Sequence, residues 1–270
     1  DSVRRAEPSL KIDLPVIPAP VTPQGVGFVE FAAQGGEARD LETQLAAMGF
    51  SRAGRHVNKA VTLWQQGDIR IIVNEETSGH AGAAWNARGT SVCDIGLEVG
   101  SAKDALARAR ALGSEAFSQP IGAGELDIPA IRGNSGSVLH FIDRSSGLDR
   151  VWALEFGAPD QPPQGAGLSR IDHIAQTMSY EDMLGWTLFY TSTFDMRKSP
   201  MVDVFDPDGL VRSQVVTAPD GALRVTLNGA DSHRTLAGGF LAQTFGASVQ
   251  HLALATDDIF AAAAAMEAKG

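Results

Sequence analysis

The sequence is poor in cysteine and in long apolar runs, and each shortage excludes a class of protein. One cysteine, Cys93, serves 270 residues, which excludes an internal disulfide and a multi-cysteine metal site. This scarcity fits a reducing compartment, so we expect a cytoplasmic protein. The longest apolar candidate spans residues 259–266, far short of the roughly 20 residues that a transmembrane helix needs. We therefore expect no membrane-spanning segment.

Positive charge is also scarce. The chain has 22 Lys and Arg against 32 Asp and Glu, which leaves a net charge of −10. An anionic surface repels nucleic acid and the anionic leaflet of a membrane, so neither is an expected partner. The apolar fraction of 44% and the charged fraction of 20% are typical of a globular protein. The length allows one large domain or two ordinary ones.

Both ends resemble cut points in a longer polypeptide. The chain begins at Asp1 without an initiator methionine or an apolar signal core, and five prolines follow within residues 8–23. Proline fixes φ and removes a backbone donor, so we predict an extended linker over residues 1–24; a disordered tail is the alternative. A predicted helix over residues 261–269 ends at Gly270 with no strand after it.

Four stretches of the sequence repeat one pattern: an apolar strand, a polar turn, a helix and further strand-like sequence. They start near residues 27, 92, 171 and 249. A period of this length is typical of a supersecondary module. Hairpin signals at residues 61–73 and 209–227 give the module the order β-α-β-β-β, and the fold class is α+β. We predict one module pair over residues 25–155 and a second, incomplete pair over residues 166–270.

Two of the six histidines occupy equivalent places in two modules. His173 and His251 are each the third residue of a module's opening strand. Rotation-related repeats bring equivalent strand positions together, and two imidazoles are two thirds of a two-histidine, one-carboxylate metal site. The spacing alone equally allows two unrelated strand histidines. The other four are interpreted as having no ligand role: His56, His80 and His233 as solvated side chains, and His140 as a hydrogen-bonded or surface histidine on a strand.

The sequence resembles the 4-hydroxyphenylpyruvate dioxygenases over residues 25–270. Residues 249–259 resemble that family's second-histidine motif, and residues 27–32, 59–64 and 126–133 resemble its first module pair. The resemblance implies the vicinal-oxygen-chelate fold, with one divalent metal (Mg, Mn, Co or Fe(II)) in the second pair. It makes His173 and His251 the first two metal ligands and implies a glutamate beyond Gly270 as the third.

The resemblance also implies a substrate pocket beside the metal. Ser213, Asn228 and Gln250 match the family's pocket residues, and they are neutral donors and acceptors suited to a carboxylate or carbonyl oxygen. Ordinary turn or strand-end bonding is the alternative for Ser213 and Asn228. Where those dioxygenases tend to have Lys-Ser-Gln, residues 234–236 are Arg-Thr-Leu, and this departure argues against recognition of 4-hydroxyphenylpyruvate.

A second resemblance is to bacterial 3-dehydroshikimate dehydratases that fuse an isomerase-like barrel to a dioxygenase-like half. Residues 53–56, 59–64, 206–211 and 213–216 are similar to that half. The resemblance implies that an upstream barrel converts 3-dehydroshikimate to protocatechuate and that this segment alone is inactive. The implied partners are that barrel, a small aromatic or shikimate-pathway ligand and, through exposed sheet edges, a second copy of the chain.

Two functions therefore stay open. The chain is either the metal-binding half of a dehydratase, in a structural, oligomerising or unidentified catalytic role, or part of an Fe(II) dioxygenase that acts on an aromatic 2-oxo acid. The parent reading frame separates them, because an upstream barrel of about 250 residues favours the first.

Overall fold

Two mixed sheets with helices packed on them form the fold. The computed structural model describes residues 16–157, 159, 165–206 and 208–269. The first sheet has the strand order β2-β3-β4-β1-β5-β8-β7-β6, and the second has the order β10-β12-β13-β9-β14, with β11 paired to β12.

The first sheet contains two complete modules. Their elements are β1 (Pro23–Ala32), α1 (Gly35–Ala47), β2 (Ser51–Arg55), β3 (Val61–Gln66), β4 (Ile69–Asn74), α2 (Gly79–Arg88), β5 (Ser91–Val99), α3 (Ala102–Ala111), β6 (Ala116–Phe117), β7 (Ala130–Arg132), β8 (Val138–Ile142) and α4 (Val151–Glu155). Helix α2 packs on β1 and β5, and helix α3 packs on β7 and β8.

The second sheet contains one module and the beginning of another. Its elements are β9 (Leu168–Ser179), α5 (Met183–Thr193), β10 (Arg197–Lys198), β11 (Val202–Asp206), β12 (Gly209–Thr217), β13 (Arg224–Ala230), α6 (Leu236–Gln243), β14 (Ser248–Thr256) and α7 (Ile259–Glu267). The prediction of an α+β fold built from repeated β-α-β-β-β modules is confirmed. No helix in the described ranges is long and apolar enough to cross a bilayer.

The end of the proline-rich stretch joins the fold. Val21 forms an isolated bridge with Phe194, and β1 begins at Pro23, two residues before the predicted start of the first module pair. Residues 1–15 of the predicted linker and the predicted cap at Gly270 lie outside the described residues. The assignment of residues 25–155 and 166–270 to two separate domains stays a prediction.

One apolar core runs through both sheets. It includes Val29 and Phe141 from the first sheet and Phe194 and Leu227 from the second half, all fully buried. The rings of Phe141 and Phe194 meet edge to face, with their centroids 6.1 Å apart. The two halves therefore bury apolar area against each other.

A cation from the first half lies at the end of a helix in the second. Arg108 of α3 donates from Nε to the carbonyls of Ser192 (2.8 Å) and Thr193 (3.1 Å), the last residues of α5. The same guanidinium also donates to the carbonyl of Pro18. The last carbonyls of a helix have no partner within it and carry partial negative charge, so Arg108 satisfies them.

Substitution of Gly67 by alanine is expected to destabilise the protein by about 1–3 kcal/mol. Gly67 has φ of +56° in the turn between β3 and β4, and an added Cβ would lie 2.7 Å from the carbonyl oxygen of Ser169. Gly221→Ala is the matched control, because Gly221 has φ of +74° with nothing within 4 Å of an added Cβ. Urea unfolding should show the larger loss for Gly67→Ala; equal losses would mean that the contact with Ser169 contributes nothing.

The carboxylate of Asp143 is expected to make stability fall in acid. It accepts hydrogen bonds from Ala102 N (2.6 Å), the first residue of α3, and from Ser146 N and Oγ (both 2.6 Å). Burial raises its pKa, but these bonds outweigh burial and lower the pKa from 3.8 to about 2. Because the folded pKa is the lower one, the stabilisation is complete above pH ~4 and disappears as the pH falls towards 2. It amounts to about 2 kcal/mol.

The measurement is urea unfolding of the wild type and Asp143→Asn between pH 5 and pH 2. The stability difference between them should shrink as the pH falls. Glu115→Gln is the control, because the Glu115 side chain is 75% exposed. A constant difference across that range would contradict the assignment of a lowered pKa to Asp143.

Candidate metal centre

The structure brings His173 and His251 together. In the register of β9 and β14, His251 pairs with Ala175 and His173 pairs with Ala253. Directly paired residues of antiparallel strands project from the same sheet face, so both imidazoles lie on one face. Their ring centroids are 5.7 Å apart, with an interplanar angle of 77°.

A β-bulge aims His251 at this face. Val249 pairs with Gln176 and His251 pairs with Ala175, so the register shifts at Gln250. Val249 packs against the core, and without the shift His251 would point the same way because side chains two residues apart share a face. The extra residue turns His251 away from the core.

A carboxylate outside the histidine pair fixes the orientation of the His173 ring. Nδ1 of His173 lies 3.0 Å from Oδ2 of Asp172, and Arg224 Nη1 donates to the same oxygen at 3.2 Å. Since the carboxylate can only accept, Nδ1 carries the proton and Nε2 presents its lone pair. A carboxylate behind an imidazole is a common support for a metal-binding histidine.

The pKa of His251 lies below its ordinary value. Desolvation is the larger cause, and the neighbouring His173 adds to it. His251 is therefore a neutral imidazole at neutral pH, the form that binds metals.

The donor chemistry fits two ligands of a divalent cation. Two imidazoles, one of them supported by a carboxylate, suit the borderline metals of the first transition row. Among the described residues, no group of three or more His, Cys, Asp and Glu side chains is placed to hold a metal ion. The glutamate expected beyond Gly270 stays a prediction.

The three predicted pocket residues have different positions. Ser213 of β12 and Asn228 of β13 are direct cross-strand partners, and Asn228 is in register with Thr177 of β9. Thr177 lies four residues from His173 on the same strand, so this polar row crosses the sheet on the histidine face. Gln250, half-buried, lies at the bulge beside His251. Their contact with a substrate stays a prediction.

Thr177 is a polar residue of this face that sequence analysis missed. It is fully buried, and its Oγ1 has no hydrogen-bond partner among the described residues. A buried hydroxyl without a partner is rare in proteins and marks a position where a ligand or water can bind. A threonine inside an apolar strand gives no sequence signal of this kind.

The equivalent strands of the first sheet carry carboxylates instead of histidines. Glu30 of β1 and Asp94 of β5 are in register, and Nδ1 of His140 lies 2.7 Å from Oδ2 of Asp94. Burial and then Asp94 raise the pKa of Glu30 to about 7. These three side chains form a buried network of ionisable groups. In the described part of the chain, no group of three or more such side chains is placed to hold a metal ion.

The interpretation of His56 as solvated is wrong. Its side chain is 5% exposed, and Nε2 lies 3.0 Å from Oε2 of Glu155. Its basic surroundings in the sequence gave no sign of Glu155, which lies 99 residues away in the chain. His80 is half-buried and bonds through Nε2 to the carbonyl of Cys93 at 2.9 Å, whereas His233 is exposed as expected.

Comparison with known families agrees with the fold. Residues 18–157 match the family described as Hydroxyphenylpyruvate dioxygenase, HPPD, N-terminal, and residues 170–270 match the Glyoxalase/Bleomycin resistance protein/Dioxygenase superfamily. The 4-hydroxyphenylpyruvate dioxygenase of Pseudomonas sp. is 33% identical over 246 residues, which cover 89% of this chain and 68% of that enzyme. The chain therefore belongs to the 4-hydroxyphenylpyruvate dioxygenase-like family of this superfamily.

Longer proteins match all or most of the chain. The 3-dehydroshikimate dehydratase of Pseudomonas aeruginosa is 35% identical over 100% of this chain, and that of Pseudomonas putida is 34% identical over 87% of it. The chain spans only 43% and 37% of these two relatives.

Solved structures give the same result. A xylose isomerase-like TIM barrel/4-hydroxyphenylpyruvate dioxygenase fusion protein matches 98% of this chain with a TM-score of 0.80 and 32% identity, over 41% of its own length. A mutant of 4-hydroxymandelate synthase from Streptomyces coelicolor has a TM-score of 0.73 at 17% identity, a likeness of fold alone.

Proposed function

We propose that this chain is the dioxygenase-like, metal-binding part of a cytoplasmic 3-dehydroshikimate dehydratase that serves the catabolism of shikimate-pathway compounds. The observation that carries the proposal is the 35% identity over the whole chain to the Pseudomonas aeruginosa enzyme, of which it spans 43%. The barrel fusion, matched over 41% of its length, supports the same arrangement. Dehydration to protocatechuate belongs to an upstream barrel.

In this proposal His173 and His251 hold one divalent cation, and a glutamate beyond Gly270 completes the set. When bound, the cation supplies Lewis acidity and positive charge at the histidine face. Asp172 orients His173 through the 3.0 Å bond, so Nε2 points at the binding position. Ser213 and Asn228 donate hydrogen bonds to a carboxylate or carbonyl oxygen of a small aromatic or shikimate-pathway ligand.

Residues 234–236 support the dehydratase over the dioxygenase. Thr235 is the N-cap of α6, where its side chain accepts from Gly238 N at 3.0 Å. Leu236 is 78% exposed, and its side chain has no amide group. The glutamine that 4-hydroxyphenylpyruvate dioxygenases tend to have here is thus replaced by a side chain that cannot form a hydrogen bond with a substrate.

A homo-oligomer is part of the same proposal. The edge strand β11, which pairs only with β12 among the described residues, exposes Val202 (58%), Val204 (47%) and Phe205 (88%). Such an edge pairs readily with a second copy.

A working Fe(II) dioxygenase of an aromatic 2-oxo acid is the second candidate. The Pseudomonas sp. dioxygenase, of which the chain covers 68% at 33% identity, favours it, as does the convergence of the two histidines.

The deciding experiment assays the full-length protein and its His173→Ala and His251→Ala variants. We expect all three to form protocatechuate from 3-dehydroshikimate at similar rates and none to consume oxygen with 4-hydroxyphenylpyruvate, Fe²⁺ and ascorbate. Oxygen uptake by the wild type that either substitution abolishes would establish the dioxygenase instead.

A further inference from the structure

A cavity between the two halves is lined by cationic and amide hydrogen-bond donors. It lies apart from the histidine face. Its volume is about 250 Å³. Helix α2, the start of β5 and the turn at residues 133–137 form one side, and Trp186 and residues 247–249 form the other. Neither His173 nor His251 lines it, so it is separate from the candidate metal centre.

Arg88 is the central cation of this cavity, and it has no countercharge. Its Nη1 donates to the carbonyl of Ala247 at 2.5 Å and its Nη2 to the carbonyl of Ser135 at 2.7 Å. No carboxylate of the described chain forms an ion pair with it, although acidic residues outnumber basic ones by ten. Desolvation by burial alone lowers its pKa. A half-buried guanidinium without an anion is energetically unfavourable, and an anionic ligand would relieve the cost.

Other donors line the same cavity. Nδ2 of Asn134 is buried without a hydrogen-bond partner in the described structure. Arg132 also lines the cavity, and its Nε lies 3.7 Å from Oε1 of Glu115. None of the residues that line the cavity is Asp or Glu. The cavity is therefore rich in donors and poor in negative charge, an arrangement suited to a carboxylate.

The turn that presents these donors is strained. Ser135 has φ of +56°, a conformation that residues other than glycine rarely adopt, and its carbonyl accepts from Arg88. Strained backbone at a cavity wall is more common at binding sites than elsewhere.

One part of the cavity wall is apolar. Trp186, which is 6% exposed, lines the cavity together with small apolar side chains: Ala84, Ala87, Val92 and Val249. A ligand with a flat apolar body fits against this wall, and a bare inorganic anion would leave it uncovered.

We propose that this cavity binds a small organic carboxylate with an apolar ring, with Arg88 and Asn134 on the carboxylate and the Trp186 wall on the ring. Such a ligand bridges the two halves, because its donors come from α2 and the turn at residues 134–137, and its apolar wall includes Trp186 of α5 and Val249 of β14.

The test is calorimetric titration of the full-length protein with benzoate, with benzamide as a neutral probe of the same shape and with inorganic phosphate. We expect benzoate to bind at least ~10-fold more tightly than either probe, because charge-assisted bonds are about twice as strong as neutral ones and phosphate has no apolar body. Benzoate should also raise the unfolding temperature. Equal affinities for benzoate and benzamide, or for benzoate and phosphate, would refute the proposal.

Variants locate the bound probe. Arg88→Gln should weaken benzoate at least ~10-fold, whereas Arg39→Gln, the same charge change on an exposed residue of α1, should leave it unchanged. Ala87→Phe fills the cavity mouth while keeping Arg88, so it decides the case if Arg88→Gln fails to fold. If Ala87→Phe keeps its full affinity for benzoate, or if His251→Ala loses it, benzoate binds elsewhere and the assignment of this cavity is wrong.

Discussion

Replacement of His173 or His251 by alanine is expected to lower the affinity for a divalent cation at least about 100-fold. Each imidazole supplies one ligand from the face shared by β9 and β14, where the ring centroids are 5.7 Å apart. Loss of one leaves a single nitrogen donor in the described part of this face, which holds a cation weakly. We expect Asp172→Asn to have a smaller effect of about 10-fold to 100-fold, because it removes only the support of His173.

The measurement is calorimetric titration of the metal-free full-length protein with Mn²⁺ and Co²⁺. His233→Ala is the matched control, because His233 is exposed and lies outside β9 and β14, the strands that carry the pair. Its affinity should equal that of the wild type. If His173→Ala and His251→Ala bind Mn²⁺ and Co²⁺ as tightly as His233→Ala does, these histidines are not ligands.

Truncation of Phe194 to alanine is expected to lower the free energy of unfolding by about 3–5 kcal/mol. The ring is fully buried and meets Phe141 from the first half, and the backbone of Phe194 bridges to Val21. A cavity here opens between the halves, where neighbouring elements from both sheets would have to shift to fill it.

Urea unfolding followed by tryptophan fluorescence gives this value. Leu184→Ala is the control, since Leu184 is 75% exposed on α5, and it should change the stability by less than about 0.5 kcal/mol. If the two substitutions cost the same, the ring of Phe194 contributes nothing to the packing of the halves against each other.

The fold followed from local patterns that the sequence displays. Alternating apolar residues and turn signals predict the hairpin of β12 and β13, and the equivalent places of His173 and His251 predict their convergence on one sheet face. The resemblance to known families added Ser213, Asn228 and Gln250. In the structure Ser213 and Asn228 are cross-strand partners on the histidine face, and Gln250 lies at the bulge beside His251.

Features that depend on distant parts of the chain were not predictable. His56 pairs with Glu155, 99 residues away in the chain, and the cavity around Arg88 is lined both by α2 and by residues 247–249. In the sequence Thr177 is an ordinary strand residue. Only the register of β9 and β13 shows that it lies beside Asn228. Sequence spacing describes neighbours along the chain, whereas these contacts join residues far apart in it.

The bulge at Gln250 decides which face of β14 His251 occupies, so alternation along the sequence does not. In a regular strand residues 249 and 251 would share a face, whereas the extra residue at the bulge puts them on opposite faces. Deletion of Gln250 would leave His251 directly after Val249, so regular alternation would keep the imidazole on the face of His173 without a bulge. A related chain with a one-residue alignment gap just before the second histidine can therefore keep the paired imidazoles.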